Sequence, residues 1–222
     1  MNSSRLFFSG GIGGSSRHIA RKYASQAVEV DAITLSPEQA RRGNVLSQGL
    51  PVTLRVADAM RTPFADAEFD LVWSLESGEH MPDKPQFVNE LSRLCKPGGT
   101  ISLVTWCHRE LLSGQSRLRR IERWLLGAVN YCYFLPKWCS GGDYQKLFAA
   151  KKGVKKIQLK DWTENIAAFW PAVARSSMRP SSLVALAKTG LKTIRGAVAI
   201  FLMILGYNLG TIKFVALSVS KE

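Results

Sequence analysis

Strand and helix patterns alternate through the first half of the chain, and this alternation constrains the fold more than any other feature. Val28–Ile33 is a short apolar strand pattern, and Val52, Leu54 and Val56 alternate toward Asp58. Phe69–Trp73 is apolar apart from Asp70, and Thr100–Thr105 follows the turn Lys96-Pro97-Gly98-Gly99. Helical patterns lie between these strands. Ser15–Ser25 places Ile19, Ala20, Tyr23 and Ala24 on one side. Ser36-Pro37-Glu38-Gln39 supplies an N-cap serine, a proline at the first helical position and a glutamine at the third, so a helix runs from there toward Gly49. Asp83 caps a third helix whose Phe87, Val88, Leu91, Leu94 and Cys95 share a face. Strands that are apolar on both faces need helices on both faces, so the pattern predicts an α/β fold with a mostly parallel, doubly wound sheet. In such a sheet, ligands bind at the carboxyl ends of the strands.

The second half has a different pattern. Leu111–Tyr133 and Thr163–Leu205 read as mainly helical, and Val154–Lys160 and Thr211–Ser220 as strands. Helices capping the sheet's binding edge are therefore expected, with two late strands completing the sheet. The 222 residues suit one domain, and Cys95, Cys107, Cys132 and Cys139 form neither a CxxC pair nor a His/Cys metal spacing. Reduced thiols in a soluble intracellular domain are the expectation. The apolar run Ala197–Leu205 is nine residues, about half of a bilayer crossing. With Lys188, Lys192 and Arg195 upstream it reads as a core helix with a basic face, ahead of an interfacial helix.

The charge balance is uneven. Thirty Lys and Arg against 17 Asp and Glu leave +13, with Arg117, Arg119, Arg120 and Arg123 in one cluster and Lys146, Lys151, Lys152, Lys155, Lys156 and Lys160 in another. This excess is either a solvated basic face or an attraction to an anionic membrane surface. No homeodomain, zinc-finger, RRM or KH pattern accompanies it, so specific nucleic-acid recognition is not expected.

Gly10-Gly11-Ile12-Gly13-Gly14-Ser15-Ser16 precedes the first helix. Glycines there let a ligand approach the backbone, and a helix N-terminus favours a negative group. A dinucleotide fingerprint is not met, because G-x-G-x-x-G is absent and no acid ends the second strand. The order GGIGGSSRHIARKYA, ITLSPEQARR, VADAMRTPFADAEFDLVWSLESGEHMPDK and LCKPGGTISLVTWCHR resembles the class I S-adenosylmethionine-dependent methyltransferases. More closely, it resembles the γ-tocopherol C-methyltransferase family, which includes indole-alkaloid N-methyltransferases. The likeness continues through FLPKWCSGGDYQKLF, DWTENIAAFWPAV and GLKTIRGAVAIFLMILGYNLGTIKF.

The resemblance implies a Rossmann-like fold of one domain, with a cofactor-binding core over 1–109, a mainly helical acceptor cap with one inserted strand over 110–210, and a last strand over 211–222. It implies S-adenosyl-L-methionine as cofactor and no metal. Gly11, Ile12, Gly13 and Gly14 would wrap the methionine part, Thr34, Leu35 and Gln39 would lie near the ribose, and Asp58 and Ala59 would hold the adenine. Leu75 would line the transfer site, with Glu76, Glu79 or His80 as base. His108, Arg109, Trp162 and Trp170 would shape the acceptor pocket, with Phe169 beside them. Asp58 also suits a turn former, His80 a loop histidine and the tryptophans plain core. The implied reaction is C-methylation of a tocopherol-type chromanol, or N-methylation of an indole alkaloid. The family carries an acid and a glycine ahead of the glycine loop, where this chain has Phe7 and Ser9. That departure, with a short first strand and no transit peptide in Met1–Phe8, gives the expectation of an N-terminally truncated chain, active or a non-catalytic remnant. The partners expected are a lipophilic phenol or alkaloid and, peripherally, an anionic membrane surface. The location implied is the plastid, otherwise the cytoplasm.

Overall fold

The computed structural model describes residues 4–7, 11–26, 28–177 and 191–222. Seven strands form one sheet: β1 (Ser4–Phe7), β2 (Glu29–Thr34), β3 (Val52–Val56), β4 (Phe69–Leu75), β5 (Cys95–His108), β6 (Val154–Asp161) and β7 (Ile212–Lys221). Their order is β3-β2-β1-β4-β5-β7-β6, and β1 to β5 pair in parallel. Only β7 turns back: the Arg109 amide, just after β5, donates to the Thr211 carbonyl just before β7. The Trp162 amide donates to the Phe214 carbonyl while that of Glu222 donates to Gly153, so β6 and β7 run antiparallel.

The helices are α1 (Gly14–Lys22), α2 (Pro37–Leu46), α3 (Lys84–Leu94), α4 (Arg120–Tyr133), α5 (Gly141–Ala149), α6 (Phe169–Ser177) and α7 (Leu191–Asn208). Strand order reverses at β1, so right-handed crossovers put α1 and α2 on one face of the sheet and α3 on the other. The predicted caps form: Ser36 Oγ accepts from the Gln39 amide at 3.2 Å and Asp83 Oδ1 from that of Gln86 at 2.8 Å. Beneath α1 and α2, Ile19, Ala20, Val30, Ala32, Ala40, Val52 and Leu54 form a buried cluster. Gly43 makes this packing possible, since a Cβ there would lie 2.3 Å from a Leu54 methyl and 3.1 Å from the Ile12 carbonyl oxygen.

Several expectations are corrected. The Lys96–Gly99 turn does not precede β5 but interrupts it, because the register with β4 jumps from Cys95 to Thr100. Gly98 there takes φ +78 and a Cβ on Gly99 would sit 2.9 Å from the Asp70 carbonyl oxygen, so the irregularity needs both glycines. Residues 111–119 are not helical: Gly114 adopts φ +80 and α4 starts only at Arg120. Helix α5 was not expected. The short first strand exists, paired to β2 and β4 on its two sides. Ser9 and the part of the 163–205 helical reading over 178–190, with Lys188, lie outside the described residues.

The chain divides into two compact units. One comprises Met1–Thr105, Gly142–Lys160 and Ala216–Glu222, and the other Trp106–Gly141 and Asp161–Val215. The second is mainly helical, cored by Leu118, Leu125, Leu126, Val129, Trp138, Trp170, Leu202, Met203 and Ile212. No described helix is long and apolar enough to cross a membrane.

Candidate active site

In the first unit, four neighbouring parallel strands end side by side. The register sets Phe7 opposite Ala32 and Trp73, and Thr34 opposite Val56, so the segments that follow β1, β2, β3 and β4 leave from one edge of the sheet. Those segments carry the glycine loop, Thr34–Gln39, Asp58-Ala59 and Leu75–His80.

Gly13 caps α1 with φ +76, and a Cβ there would lie 3.1 Å from Leu54 and 3.4 Å from the Arg17 guanidinium. Gly11 and Gly14 face open space instead. The first turn of α1 holds no acid, so the partial positive charge of the helix end is left for a ligand. Arg17 reaches back to the Ile12 carbonyl and braces the loop. A cavity of about 400 Å³ beside it is lined by Gly14, Ser15, His18, Ile19 and Trp73.

At the end of β2, the Thr34 hydroxyl donates to Gln39 Oε1 at 2.8 Å and accepts from the Ser36 amide at 3.2 Å. This knot holds the turn while Leu35 stands 74% exposed. Asp58 closes its own turn, with Oδ1 accepting from the Met60 amide at 2.9 Å, yet the carboxylate remains exposed, with Ala59 beside it. An open glycine cradle at a helix N-terminus, an exposed apolar side chain and an exposed carboxylate suit a ligand that has a carboxylate at one end and an amine-bearing ring at the other. These residues fit the cofactor implied by the sequence.

The loop after β4 separates the three expected bases. Half-buried Leu75 ends the strand, and Glu76 leaves it with φ +52, a left-handed conformation unusual for this residue type, its amide held by the Val104 carbonyl at 2.8 Å. Glu76 and His80 are exposed, whereas Glu79 is buried and accepts from the Thr105 hydroxyl at 2.6 Å. Glu79 is therefore placed to hold the loop, not to meet a substrate. Partial burial, then the neighbouring Glu79, raises the Glu76 carboxyl above its ordinary value, against the pull of His80. Partial burial, then the Lys84 ammonium, lowers the His80 imidazole, against the pull of Glu76. His80 is thus held toward its neutral form, which can accept a proton.

Sequence reasoning missed what pins this loop. Buried Lys84 donates through Nζ to the carbonyls of Gly78 at 2.7 Å, Glu79 at 3.1 Å and Met81 at 2.7 Å, and the Tyr144 hydroxyl donates to Gly78 at 3.0 Å. A signal for Lys84 existed: it is the first residue of α3, where a cation opposes the helix dipole. Tyr144 comes from α5, 66 positions away, and no local pattern announces it.

The remaining expected residues lie in the second unit. His108 Nδ1 is 2.7 Å from the Arg109 carbonyl, which puts a proton on Nδ1 and leaves Nε2 as acceptor when the ring is neutral. Arg109 is engaged: Nε and one terminal nitrogen grip Glu122 at 2.7 Å each, and the other donates to the Glu110 carbonyl at 2.7 Å. Gln115 Oε1 lies 3.3 Å from both terminal nitrogens. The arginine braces α4, which leaves its guanidinium little freedom for an acceptor. Trp162 is partly exposed after β6, while Trp170 is buried against Trp106, Phe169 and Tyr207. The Trp170 indole N–H has no partner among the described residues, a buried donor that a ligand oxygen would satisfy.

Residues 8–103 match a family model described as a methyltransferase domain. The chain is 47% identical over 208 residues to the chloroplastic tocopherol O-methyltransferase of Arabidopsis thaliana, covering 92% of this chain but 59% of that protein. It is 31% identical over 217 residues to norajmaline N-methyltransferase of Rauvolfia serpentina, covering 96% of this chain and 73% of that one. Among solved structures, the geranyl diphosphate C-methyltransferase of Streptomyces coelicolor A3(2) superimposes with a TM-score of 0.76 at 21% identity, over 100% of this chain and 73% of that one.

Proposed function

Because the chain belongs to the class I S-adenosylmethionine-dependent methyltransferases, in the branch that holds the tocopherol and indole-alkaloid enzymes, we propose that it methylates a ring carbon of a tocopherol-type chromanol. The observation that carries this reading is the convergence, at one sheet edge, of the glycine loop, Thr34–Gln39, Asp58 and the Leu75–His80 loop. When bound, S-adenosylmethionine supplies a sulfonium methyl group open to attack by an electron-rich carbon.

The chain's own residues then have separable tasks. Gly11, Ile12, Gly13 and Gly14 with the α1 N-terminus hold the carboxylate end. Thr34, Leu35 and Gln39 lie along the ribose, and Asp58, with Ala59 beside it, accepts from the ring amine. His80 takes the phenolic proton, which raises electron density at the ring carbon and contributes about a hundredfold to ten-thousandfold. Once methylated, that carbon gives up its own hydrogen as a proton to water while His80 returns a proton to the oxygen, restoring the aromatic phenol. Glu76 steadies the imidazolium so formed. Glu79, Lys84, Thr105 and Tyr144 keep the loop in one geometry, and alignment of donor with acceptor supplies up to about 7–11 kcal/mol. Trp162, Trp170 and His108 wall the aromatic acceptor. We also assign the protein to the plastid, with peripheral contact to an anionic membrane and no specific nucleic acid.

The test is transfer of a labelled methyl group to γ-tocopherol, with an indole alkaloid offered in parallel. Label in a chromanol carrying one more ring methyl supports the proposal. Label on an alkaloid nitrogen reassigns the acceptor, and no transfer to either by a folded chain overturns the reading.

A further inference from the structure

We propose that the outward face of α4, with the adjoining α7, docks the protein on an anionic membrane surface. One side of α4 is core: Glu122, Leu125, Leu126 and Val129 are buried. The other side carries Arg120, Arg123, Trp124, Gly127 and Tyr131, and the helix ends on Phe134. Trp124 is 61%, Tyr131 72% and Phe134 79% exposed. Single exposed hydrophobics are ordinary, but aromatic residues in a row at helical spacing form a patch that water covers poorly.

Helix α7 lies antiparallel beside α4, since Gly206 meets Leu125 while Arg195 stacks on the Tyr131 and Phe134 rings, 4.5 and 4.4 Å from their centroids. That stacking holds both rings at the surface. Exposed Val198 and Phe201 extend the apolar area along α7 without a charge of their own.

Charge decides among occupants. Arg117, Arg119, Arg120 and Arg123 are exposed at the leading end of the face, and the one acid of α4, Glu122, points inward onto Arg109. Aromatic rings with arginines at one end match a surface whose headgroups are anionic and whose interior is apolar. A second copy packed parallel, about a two-fold axis along α4, would bring two sets of arginines together. A nucleic acid would want the cations continued along α7 beyond Arg195, where Val198 and Phe201 stand instead. The purpose of such docking rests on the proposed lipophilic acceptor. The docking itself does not, so vesicle binding and methyl transfer fail independently.

The experiment is flotation of the full chain with phosphatidylcholine vesicles, with and without phosphatidylglycerol, alongside light scattering. The expected result is binding to the anionic vesicles that weakens with salt and is slight on phosphatidylcholine alone. R120Q/R123Q lowers partitioning roughly thirtyfold, from about 1 kcal/mol per arginine. W124S lowers it roughly tenfold, and the far-UV spectrum of both variants is unchanged. Absence of vesicle binding, or equal binding by both variants, overturns the proposal. So does a dimer that W124S dissociates, or single-stranded nucleic acid binding that the same variants abolish. Vesicle binding without methyl transfer would overturn the functional reading alone.

Discussion

Asp58 has one job in the turn and a second proposed toward the cofactor, and one substitution can separate them. Its Oδ1 closes a turn on the Met60 amide, and its exposed charge awaits a donor. Asp58→Asn keeps an oxygen for the turn, so unfolding in urea stays within about 0.5 kcal/mol of wild type. It removes the charged hydrogen bond, and titration calorimetry should show S-adenosylmethionine binding weakened tenfold to a hundredfold, the equivalent of about 1.5–3 kcal/mol. Unchanged affinity would leave Asp58 as a turn former alone. His80 makes a prediction through its proton. Burial and Lys84 hold its imidazole below the ordinary 6.5. As pH falls, the unfolded chain binds that proton first, so stability declines below pH 6.5, and His80→Gln should flatten that limb. The same variant should lower kcat at least about a hundredfold while cofactor affinity holds. A loss of twofold or less removes His80 from the chemistry.

At the scale of elements, the loop after β4 is held from beneath by its neighbours. Lys84→Met leaves three carbonyls without their ammonium, and a loss of about 1–3 kcal/mol is expected in chemical unfolding. Removing that cation also raises the His80 pKa, readable by NMR because the chain has three histidines. A His80 titration identical to wild type would disprove the coupling. Helix α2 reaches the glycine loop through Gly43. Gly43→Ala should cost about 1–3 kcal/mol by overpacking, and because the Ile12 carbonyl is backbone that cannot yield, it should also weaken cofactor binding. Thermal unfolding and calorimetry on one sample measure both.

At the scale of the whole molecule, the residues proposed to hold the cofactor and to act on the substrate from the loop after β4 lie in the first unit, so a ligand bound there would stabilise that fold. S-adenosylhomocysteine at about a hundredfold its Kd should add about 2.7 kcal/mol and raise Tm by roughly 5–10 °C. No shift would argue against an assembled site. The parallel sheet was legible because the apolar or alternating patterns of β2, β3 and β4 alternate with helical patterns, two of them opened by Ser36 and Asp83 caps, a purely local signal. The positions of the glycine loop, just before α1, and of Asp58, just after β3, were legible for the same reason. The start of α4 was misjudged because Leu111 and Leu112 look like a helical face, while the Gly114 turn and the grip of Arg109 on Gln115 and Glu122 fix those residues otherwise. The three candidate bases stood equal in sequence. Only the fold could turn Glu79 inward to Thr105, leave Glu76 and His80 outside, and bring Tyr144 under Gly78 from across the chain. Short-range patterning is written in neighbouring residues, whereas the burial and orientation of a side chain depend on segments far away in sequence.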